Sequence, residues 1–379
     1  MKVVFISGML PSGHYSQYIT HGLAQHENVD LVVYADQNPK NREIQGCGRI
    51  KLVWSKSLRY IAEILREIEK DKPDVVHLQH ELNMYGGLLT AALFPFLVVL
   101  LRLRGIRVVT TVHAAVYKRQ IDASFMKLFH QDSPFIQPFM LKLFFRYVYG
   151  FISLFSHALI VHTALTKRIL IEDYGVSQEK TNVIPIAIPQ KKIDNSGKEK
   201  YFFYFGYMVR RKGLGYALEG FRKFIAENPA SDYRLILAGG VIKGQEKALE
   251  EIKSMIREGG LTEKVLIKGF IEESEQDELY RKAYAVIIPA EVSMGSSGPL
   301  FHSVSYGKAV ICSKIGHFLE DIEDRRTGIL IENNLWHKAF LFAVKNPEVI
   351  SSIEKNTILK AQDRTPFKTA ERTIATYLT

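Results

Sequence analysis

The sequence predicts an α/β protein of two domains, each a parallel sheet covered by helices on both faces. Three observations carry this. The chain has 379 residues, enough for two or three domains, and 47% of them are hydrophobic, enough for full cores. Short β-branched, almost wholly apolar runs alternate with segments of helical periodicity, the pattern of strands buried on both faces and joined through helices. The alternation breaks once, at Pro189–Lys200 (PQKKIDNSGKEK), which is charged, polar and reads as a linker; beyond it the alternation restarts. Two Rossmann-like halves joined by a hinge imply a ligand between the carboxyl ends of two sheets.

In the first half the expected strands are Val3–Ser7, Val29–Tyr34, Lys51–Trp54, Val75–Leu78, Val108–Val112, Ala158–Val161 and Asn182–Ile186. Ser57–Lys70 puts Leu58, Ile61, Ile64, Leu65 and Ile68 on one helical face. The longest apolar run, Leu88–Leu101, is interrupted by Pro95. It falls short of the roughly 20 residues needed to cross a bilayer, so a buried or interface-lying helix is expected there. In the second half the expected strands are Phe202–Phe205, Arg234–Ala238, Val265–Lys268, Ala285–Ile288 and Ala309–Cys312. Helices are expected over Leu214–Ala226, Glu246–Arg257, Glu275–Ala283 and after Gly298.

Composition narrows the function. Cys47 and Cys312 lie far apart and offer neither metal-ligand spacing nor a disulfide framework, which fits a reducing, cytoplasmic setting. The opening MKVVFISGML turns polar too soon for a signal peptide and reads as a first strand. Formal net charge is +10, and residues 101–150 hold eight Lys/Arg against Asp122 and Asp132 among nine aromatic residues. Such a stretch suits an anionic membrane surface, which would make the protein peripheral on the inner face of the membrane; a solvated helix face explains it equally well. No nucleic-acid motif accompanies the charge, so a nucleic-acid partner is not expected.

The chemistry is expected in loops that leave strands at their carboxyl ends. The first, Ser7–His14, enters a helix; Gly13 lets backbone approach a ligand, and the helix start offers N–H groups to an anion. The dinucleotide fingerprint G-x-G-x-x-G is absent, and a plain βα turn accounts for this loop equally well. The second loop, Phe205–Gly213, carries Gly206 and the successive cations Arg210, Arg211 and Lys212. A diphosphate would satisfy those charges; an exposed basic turn is the alternative. The third, Ser293–Pro299, contains Met294, Gly295, Ser296, Ser297 and Gly298 before Pro299. Small residues and successive N–H groups make an anion-binding nest, with serine capping as the simpler explanation. His113 ends the strand Val108–Val112; alone it reads as a packed or solvated histidine, as do His77 and His80.

Together these loops resemble the retaining glycosyltransferase family 4, of GT-B fold: two Rossmann-like domains facing across a cleft. The resemblance covers nearly the whole chain. Thr111-Val112-His113 is similar to the family's cleft-histidine motif, and Phe205-Gly206…Lys212-Gly213 to its phosphate loop. Leu237–Gly240 resembles a family strand end, and Lys268-Gly269-Phe270-Ile271 the turn that cups the base. Ser297-Gly298…Gly307–Ile311 and Gly316…Glu320…Thr327-Gly328 resemble its third-loop helix and the segment that follows. Pro366–Tyr377 resembles the terminal helix that crosses back. Expected domains are therefore 1–190 for the acceptor, 191–360 for the nucleotide sugar, and 361–379 for the returning helix. Two positions depart from the family pattern. Its paired glutamates, eight apart, fall on Met294 and His302, with Glu291 nearby at the wrong spacing; the arginine that often follows the phosphate-loop glycine is Tyr207.

The resemblance implies transfer of a hexose from a nucleotide-diphosphate sugar to a hydroxyl of a glycan or lipid-linked glycan, with retention, the leaving phosphate accepting the acceptor's proton. Candidates for catalysis are His113, which the resemblance places against the donor sugar, and Lys212 and Arg210, whose charges would meet the leaving diphosphate. Candidates for substrate binding are Gly13, Gly206, Arg211, Gly269, Phe270, Ile271, Glu291, Met294, Gly295, Ser296, Ser297, Gly298 and His302. No Asp-x-Asp stands at a plausible strand end, so neither a metal nor another cofactor is expected. The alternatives are a nucleotide-sugar isomerase, for which paired carboxylates are lacking, and a non-catalytic partner subunit, which the missing glutamates suggest.

Overall fold

The computed structural model describes residues 1–9, 14–129, 136–191, 193, 197–242 and 244–379. The chain divides into two compact units. Met1–Met126, Ser133–Pro189 and Arg364–Thr379 form one; Lys127–Asp132 and Gln190–Asp363 form the other.

The first unit runs β1 (Lys2–Ile6), α1 (His14–Ala24), β2 (Asp30–Asp36), β3 (Arg49–Trp54), α2 (Tyr60–Asp71), β4 (Val75–His80), α3 (Leu88–Leu103) and β5 (Arg107–Val112). It continues with α4 (Ala123–Phe129), α5 (Pro138–Phe155), β6 (Ala158–Val161), α6 (Ala164–Tyr174) and β7 (Thr181–Val183). Its seven strands are all parallel, in the order β3-β2-β1-β4-β5-β6-β7. Central strands such as KVVFI and RVVTTV are buried almost throughout, because helices cover both faces.

The second unit runs β8 (Tyr201–Phe205), α7 (Leu214–Glu227), β9 (Arg234–Ala238), α8 (Glu246–Glu258), β10 (Val265–Gly269), α9 (Glu273–Lys282), β11 (Ala285–Ile288) and α10 (Gly298–Ser305). Then come β12 (Val310–Ser313), α11 (Phe318–Asp321), β13 (Ile329–Ile331), α12 (Trp336–Lys345) and α13 (Pro347–Asp363). Its sheet, β10-β9-β8-β11-β12-β13, is also parallel and follows the same winding: three strands to one side, then a return to the other. Its core gathers Phe202, Leu218, Phe221, Leu235, Ile311, Trp336 and Phe340. The last helix, α14 (Pro366–Leu378), belongs to the first unit, where Ala370, Ile374 and Tyr377 join the core beside Val3, Phe5 and Ile19. Thr365 caps it by accepting from the Lys368 N–H, and Pro366 takes its first turn.

Several elements depart from the sequence expectation, each for a local reason. The strand expected over Asn182–Ile186 ends at Val183, because Pro185 has no N–H to continue a ladder. The helix expected from Ser57 begins at Tyr60, leaving Leu58 exposed, while Tyr60 supplies the buried contact. The three-residue strand β13 is too short to carry a periodic signal and was not anticipated. The apolar run from Leu88 is helical through Pro95, with Phe94, Pro95, Leu97, Val98 and Leu101 buried.

Candidate functional site

In each sheet the strand order reverses beside the first strand of the unit, between β1 and β4 and between β8 and β11. The carboxyl ends there are where open α/β sheets hold ligands.

In the first unit, β1 ends at Ser7, whose hydroxyl lies 2.6 Å from that of Ser16 on α1. Gly13 lies outside the described residues. β4 and β5 deliver His77, Gln79, His80, Thr111 and His113, and β6 is followed by His162. His77 and Gln79 are completely buried, His80 and His162 nearly so, and His113 is half-buried. They are wired together. His162 Nδ1 lies 2.9 Å from the Ile184 carbonyl, and its Nε2 lies 3.2 Å from His113 Nδ1. His113 Nε2 is 2.8 Å from the Gln79 side-chain oxygen, and the Gln79 nitrogen is 3.0 Å from His77 Nε2. His77 reaches Thr111 Oγ at 2.7 Å and, through Nδ1, the Tyr377 hydroxyl of α14 at 2.6 Å. Tyr15 of α1 packs its ring against both His113 and His162.

Burial holds these imidazoles neutral. It pushes His77 down to about 3, and His80 and His162 down to about 4; His113 is lowered by burial and then by its histidine neighbours. Neutrality sets the direction of every proton. A carbonyl can only accept, so His162 carries its proton on Nδ1 and accepts at Nε2 from His113 Nδ1–H. His113 Nε2 is then an acceptor. The Gln79 amide satisfies it by turning end for end, N–H2 toward His113 and oxygen toward His77 Nε2–H, an exchange of near-isosteric ends. Tyr377 donates into His77 Nδ1. The half-buried histidine thus has its tautomer set by the Ile184 carbonyl through His162, and the chain continues through Gln79 and His77 to Tyr377 on the last helix. His77, Gln79, His162 and Tyr377 escaped the sequence reading as one unit, because 300 residues separate His77 from Tyr377.

In the second unit, two glycine-bearing strand ends meet. A Cβ on Gly239 would lie 2.0 Å from the Gly206 carbonyl oxygen, so β8 and β9 approach closely here only because Gly239 lacks a side chain. The N–H of Gly206 donates to Ala238 and that of Gly239 to Gly269, aligning three strand ends. Arg210–Lys212 form a 3₁₀ turn closed by Gly213 at φ 62°. The turn is pinned to β11, since the Glu291 N–H donates to the Arg211 carbonyl at 3.0 Å. Ala290 is itself held by Ser313 Oγ at 2.8 Å and by the Asn333 amide at 3.0 Å. Arg210 forms an ion pair with Glu251 of α8. Phe270, just past β10, is 75% exposed, whereas its neighbour Ile271 is buried.

The third loop enters α10 with Ser297 as its cap, accepting from the Leu300 N–H, and Pro299 in the first turn. The Ser296 hydroxyl is buried and has no hydrogen-bond partner among the described residues. Met294 to Ser297 are half-buried and Glu291 and Gly298 exposed. Gly316 packs against Ser293, and His317 Nδ1 lies 3.1 Å from Ser293 Oγ, so the loop is braced from β12; sequence reasoning missed His317. His302 is buried, against Gln276, Tyr280 and Tyr306. Its turn of α10 faces α9, so its ring nitrogen meets a glutamine amide. Among the described residues no group of three His, Cys, Asp or Glu side chains is arranged to hold a metal.

Residues 13–191 match the family model for "Glycosyltransferase Family 4", and residues 187–359 that for "Glycosyl transferases group 1". Among curated proteins, the O-antigen chain mannosyltransferase RfbU of Salmonella typhimurium is 26% identical over 58% of this chain and 59% of its own length. The mannosylfructose-phosphate synthase of Agrobacterium fabrum is 21% identical over 43% of this chain and 45% of its own. The chain thus spans about half the length of the curated relatives it matches. Among solved structures, Anabaena Alr3699/HepE in complex with UDP superimposes with a TM-score of 0.75 at 14% identity over 99% of both chains. The sucrose-phosphate synthase of Thermosynechococcus elongatus superimposes equally well, TM-score 0.75 at 14% identity, over 100% of this chain and 98% of its own. Adjoining matches to two glycosyltransferase models, on two parallel-sheet units of this winding, identify the chain as a glycosyltransferase of GT-B fold, related to glycosyltransferase family 4.

Proposed function

We propose that the chain transfers a hexose from a nucleoside-diphosphate sugar to a hydroxyl of a glycan or lipid-linked glycan, with retention. The observation that carries the donor class is the carboxyl end of the second sheet. The basic turn Arg210–Lys212 is fastened to the segment after β11, and the buried hydroxyl of Ser296, without a partner among the described residues, stands one residue before the cap of α10. Alr3699/HepE has been crystallised with UDP and with UDP-glucose, and RfbU is a mannosyltransferase, which supports a nucleotide sugar carrying a hexose.

The chemistry follows from where charge develops. Breaking the sugar–phosphate bond adds negative charge to the diphosphate while the sugar becomes oxocarbenium-like. Lys212 and Arg211, with the N–H groups of Gly295–Gly298 and the Ser296 hydroxyl, meet that charge; one such preorganised donor is worth about 3 kcal/mol. Arg210, paired with Glu251, holds the turn in place. The cations supply the charge a metal would otherwise supply, and no metal is assigned. Phe270, with Gly269 and Ile271, borders the base, and Gly206 and Gly239 leave the backbone open to the phosphates. His113 contacts the transferred sugar, its Nδ1 committed to His162. The departing phosphate takes the acceptor's proton, and no enzymic nucleophile is invoked.

The test is Lys212→Ala, assayed for nucleoside-diphosphate release from UDP-, GDP-, ADP- and dTDP-sugars with and without EDTA, beside a melting curve. Turnover is expected to fall at least 100-fold in the variant with unchanged melting, and wild-type turnover to survive the chelator. Near-normal turnover in Lys212→Ala removes this residue from the site. Chelator loss restored by magnesium or manganese refutes the metal-free reading. Nucleotide binding without any turnover favours the partner-subunit alternative.

A further inference from the structure

Two helices of the first unit carry an apolar face that is exposed among the described residues. On α3, Leu89, Leu93, Phe96, Leu100 and Leu103 recur at spacings of four and three, one stripe along the helix. Leu89, Phe96 and Leu103 are exposed, the first and last at 75%, and the other two are half-buried. On α5, Phe139, Leu143, Phe151 and Leu154 are exposed, with Met140 beside them. The opposite faces are the ones that pack. Phe94, Leu97, Val98 and Leu101 of α3 are buried, as are Leu141, Phe145, Val148 and Ile152 of α5. The helices lie against each other, and the Tyr147 hydroxyl of α5 donates to the Ala92 carbonyl of α3 at 3.0 Å, so the seam between the two stripes is closed.

The charges on this pair have one sign. Lys142 and Arg146 stand on α5, Arg102 on α3 and Arg104 just after it, and neither helix contains an Asp or Glu. Arg104 is ion-paired with Glu69 of α2, and Arg102 meets His157. Of the other cations in the basic stretch, Lys118 and Arg119 sit in a separate 3₁₀ turn and Lys127 on α4. Phe125 and Tyr149 are buried. The surface is therefore narrower than the composition of residues 101–150 implies, and it reaches back to Leu89 and forward to Leu154.

We propose that the outer face of α3 and α5 is an interfacial docking surface for an anionic lipid bilayer, on which the chain meets a membrane-resident acceptor; the acceptor clause rests on the transferase reading above. Leucine and phenylalanine side chains enter the acyl boundary while Lys142, Arg146 and Arg102 meet headgroup phosphates. α5 has 18 residues, about 27 Å at 1.5 Å per residue, close to a bilayer's apolar thickness. It cannot span, because its other face is part of the protein core; the pair lies in the interface plane. A second copy of this chain is the weaker occupant, since apposing the same face would set like charges against each other without a carboxylate to answer them.

The experiment uses the full chain with vesicles of phosphatidylcholine alone or with 30% phosphatidylglycerol, at low and high salt. Three proteins are compared: wild type, Leu143→Gln with Leu154→Gln, and Lys142→Glu with Arg146→Glu. Melting curves and UDP- and GDP-sugar thermal shifts run alongside to show that each is folded and keeps its nucleotide site. Wild type is expected to co-sediment with anionic vesicles, less at high salt but not to zero, since burial of the apolar residues is not screened. Each double variant should lose at least tenfold in vesicle binding with unchanged thermal shifts. No co-sedimentation of wild type at low salt overturns the proposal. So does a wild-type dimer that Leu143→Gln with Leu154→Gln makes monomeric. Vesicle binding in a protein that transfers no sugar leaves the surface standing and removes the transferase reading; transfer without vesicle binding does the reverse.

Discussion

Replacing Gln79 with leucine tests whether the buried chain of histidines sets the state of His113. Gln79 is completely buried, and its amide bridges His113 and His77 at 2.8 and 3.0 Å. Leucine is nearly the same volume, so the cavity contribution is small. What is lost is the pairing: His113 Nε2 faces apolar atoms, and His77 keeps only Thr111 and Tyr377. One buried acceptor without a partner costs about 1–3 kcal/mol, and the second lost bond about 1 more, so a loss of roughly 2–4 kcal/mol is expected in urea unfolding. The functional effect has a separate signature. A misplacement of about 1 Å at a reacting group can cost on the order of 100-fold. Turnover should therefore fall 10- to 100-fold while donor affinity, supplied by the second unit, stays within about threefold of wild type. Gln79→Glu separates wiring from packing. A carboxylate there accepts from both rings and raises the affinity of His113 for a second proton, so the pH–rate profile should move up by about 1–2 units. Stability within about 0.5 kcal/mol of wild type, with turnover within twofold in Gln79→Leu, would show that the chain of contacts sets nothing.

The last helix offers a second perturbation. A Cβ at Gly22 would lie 2.1 Å from the Pro366 carbonyl oxygen and 3.1 Å from Ala370 Cβ, so Gly22→Ala must push the start of α14 from α1 by about 1 Å. Overpacking costs about 1–3 kcal/mol, and better helix propensity returns up to ~1. A lower unfolding midpoint with faster amide exchange over residues 366–378 is expected; a higher midpoint with unchanged exchange contradicts the close approach. Acid should also destabilise the first unit. His77, His80, His113 and His162 have folded-state values below the ordinary 6.5, so the unfolded chain binds more protons as pH falls through about 6.5 toward 4. Stability is full above that window and is lost within it, by up to about 1.4 kcal/mol per histidine per pH unit. Urea unfolding at pH 7.5 and 5.5, where carboxylates stay ionised, checks this; equal midpoints would mean that the histidines are accessible to protons.

Local chemistry made much of this protein readable before any coordinates. Strands such as VVFI and AVII could be nothing but buried, because their side chains alternate to two covered faces. Gly206, and the stretch Leu237–Gly240 through its resemblance to a family strand end, marked the ends of two strands. The succession Arg210-Arg211-Lys212 marked a loop whose charges need a counterpart. The break after Pro189 showed as composition, because a solvated segment cannot hold apolar residues together. Each of these is set within a few residues, by a side-chain period of two or 3.6 or by a single missing Cβ.

What the tertiary structure alone decided joins residues that sequence keeps apart. His302 stands in α10, and its neighbours Gln276 and Tyr280 come from α9. The basic, aromatic stretch read as one patch, yet α5 buries Phe145 and Tyr149 against Tyr174 of α6 and the ends of β4 and β5, and leaves Leu143, Phe151 and Leu154 exposed. Tyr377 and His77 meet across the whole chain because α14 packs on the first unit. No periodicity encodes such pairs. They arise when helices settle on a sheet; the burial that results favours neutral His77, His113 and His162, and their hydrogen-bond partners fix which nitrogen of each carries its proton.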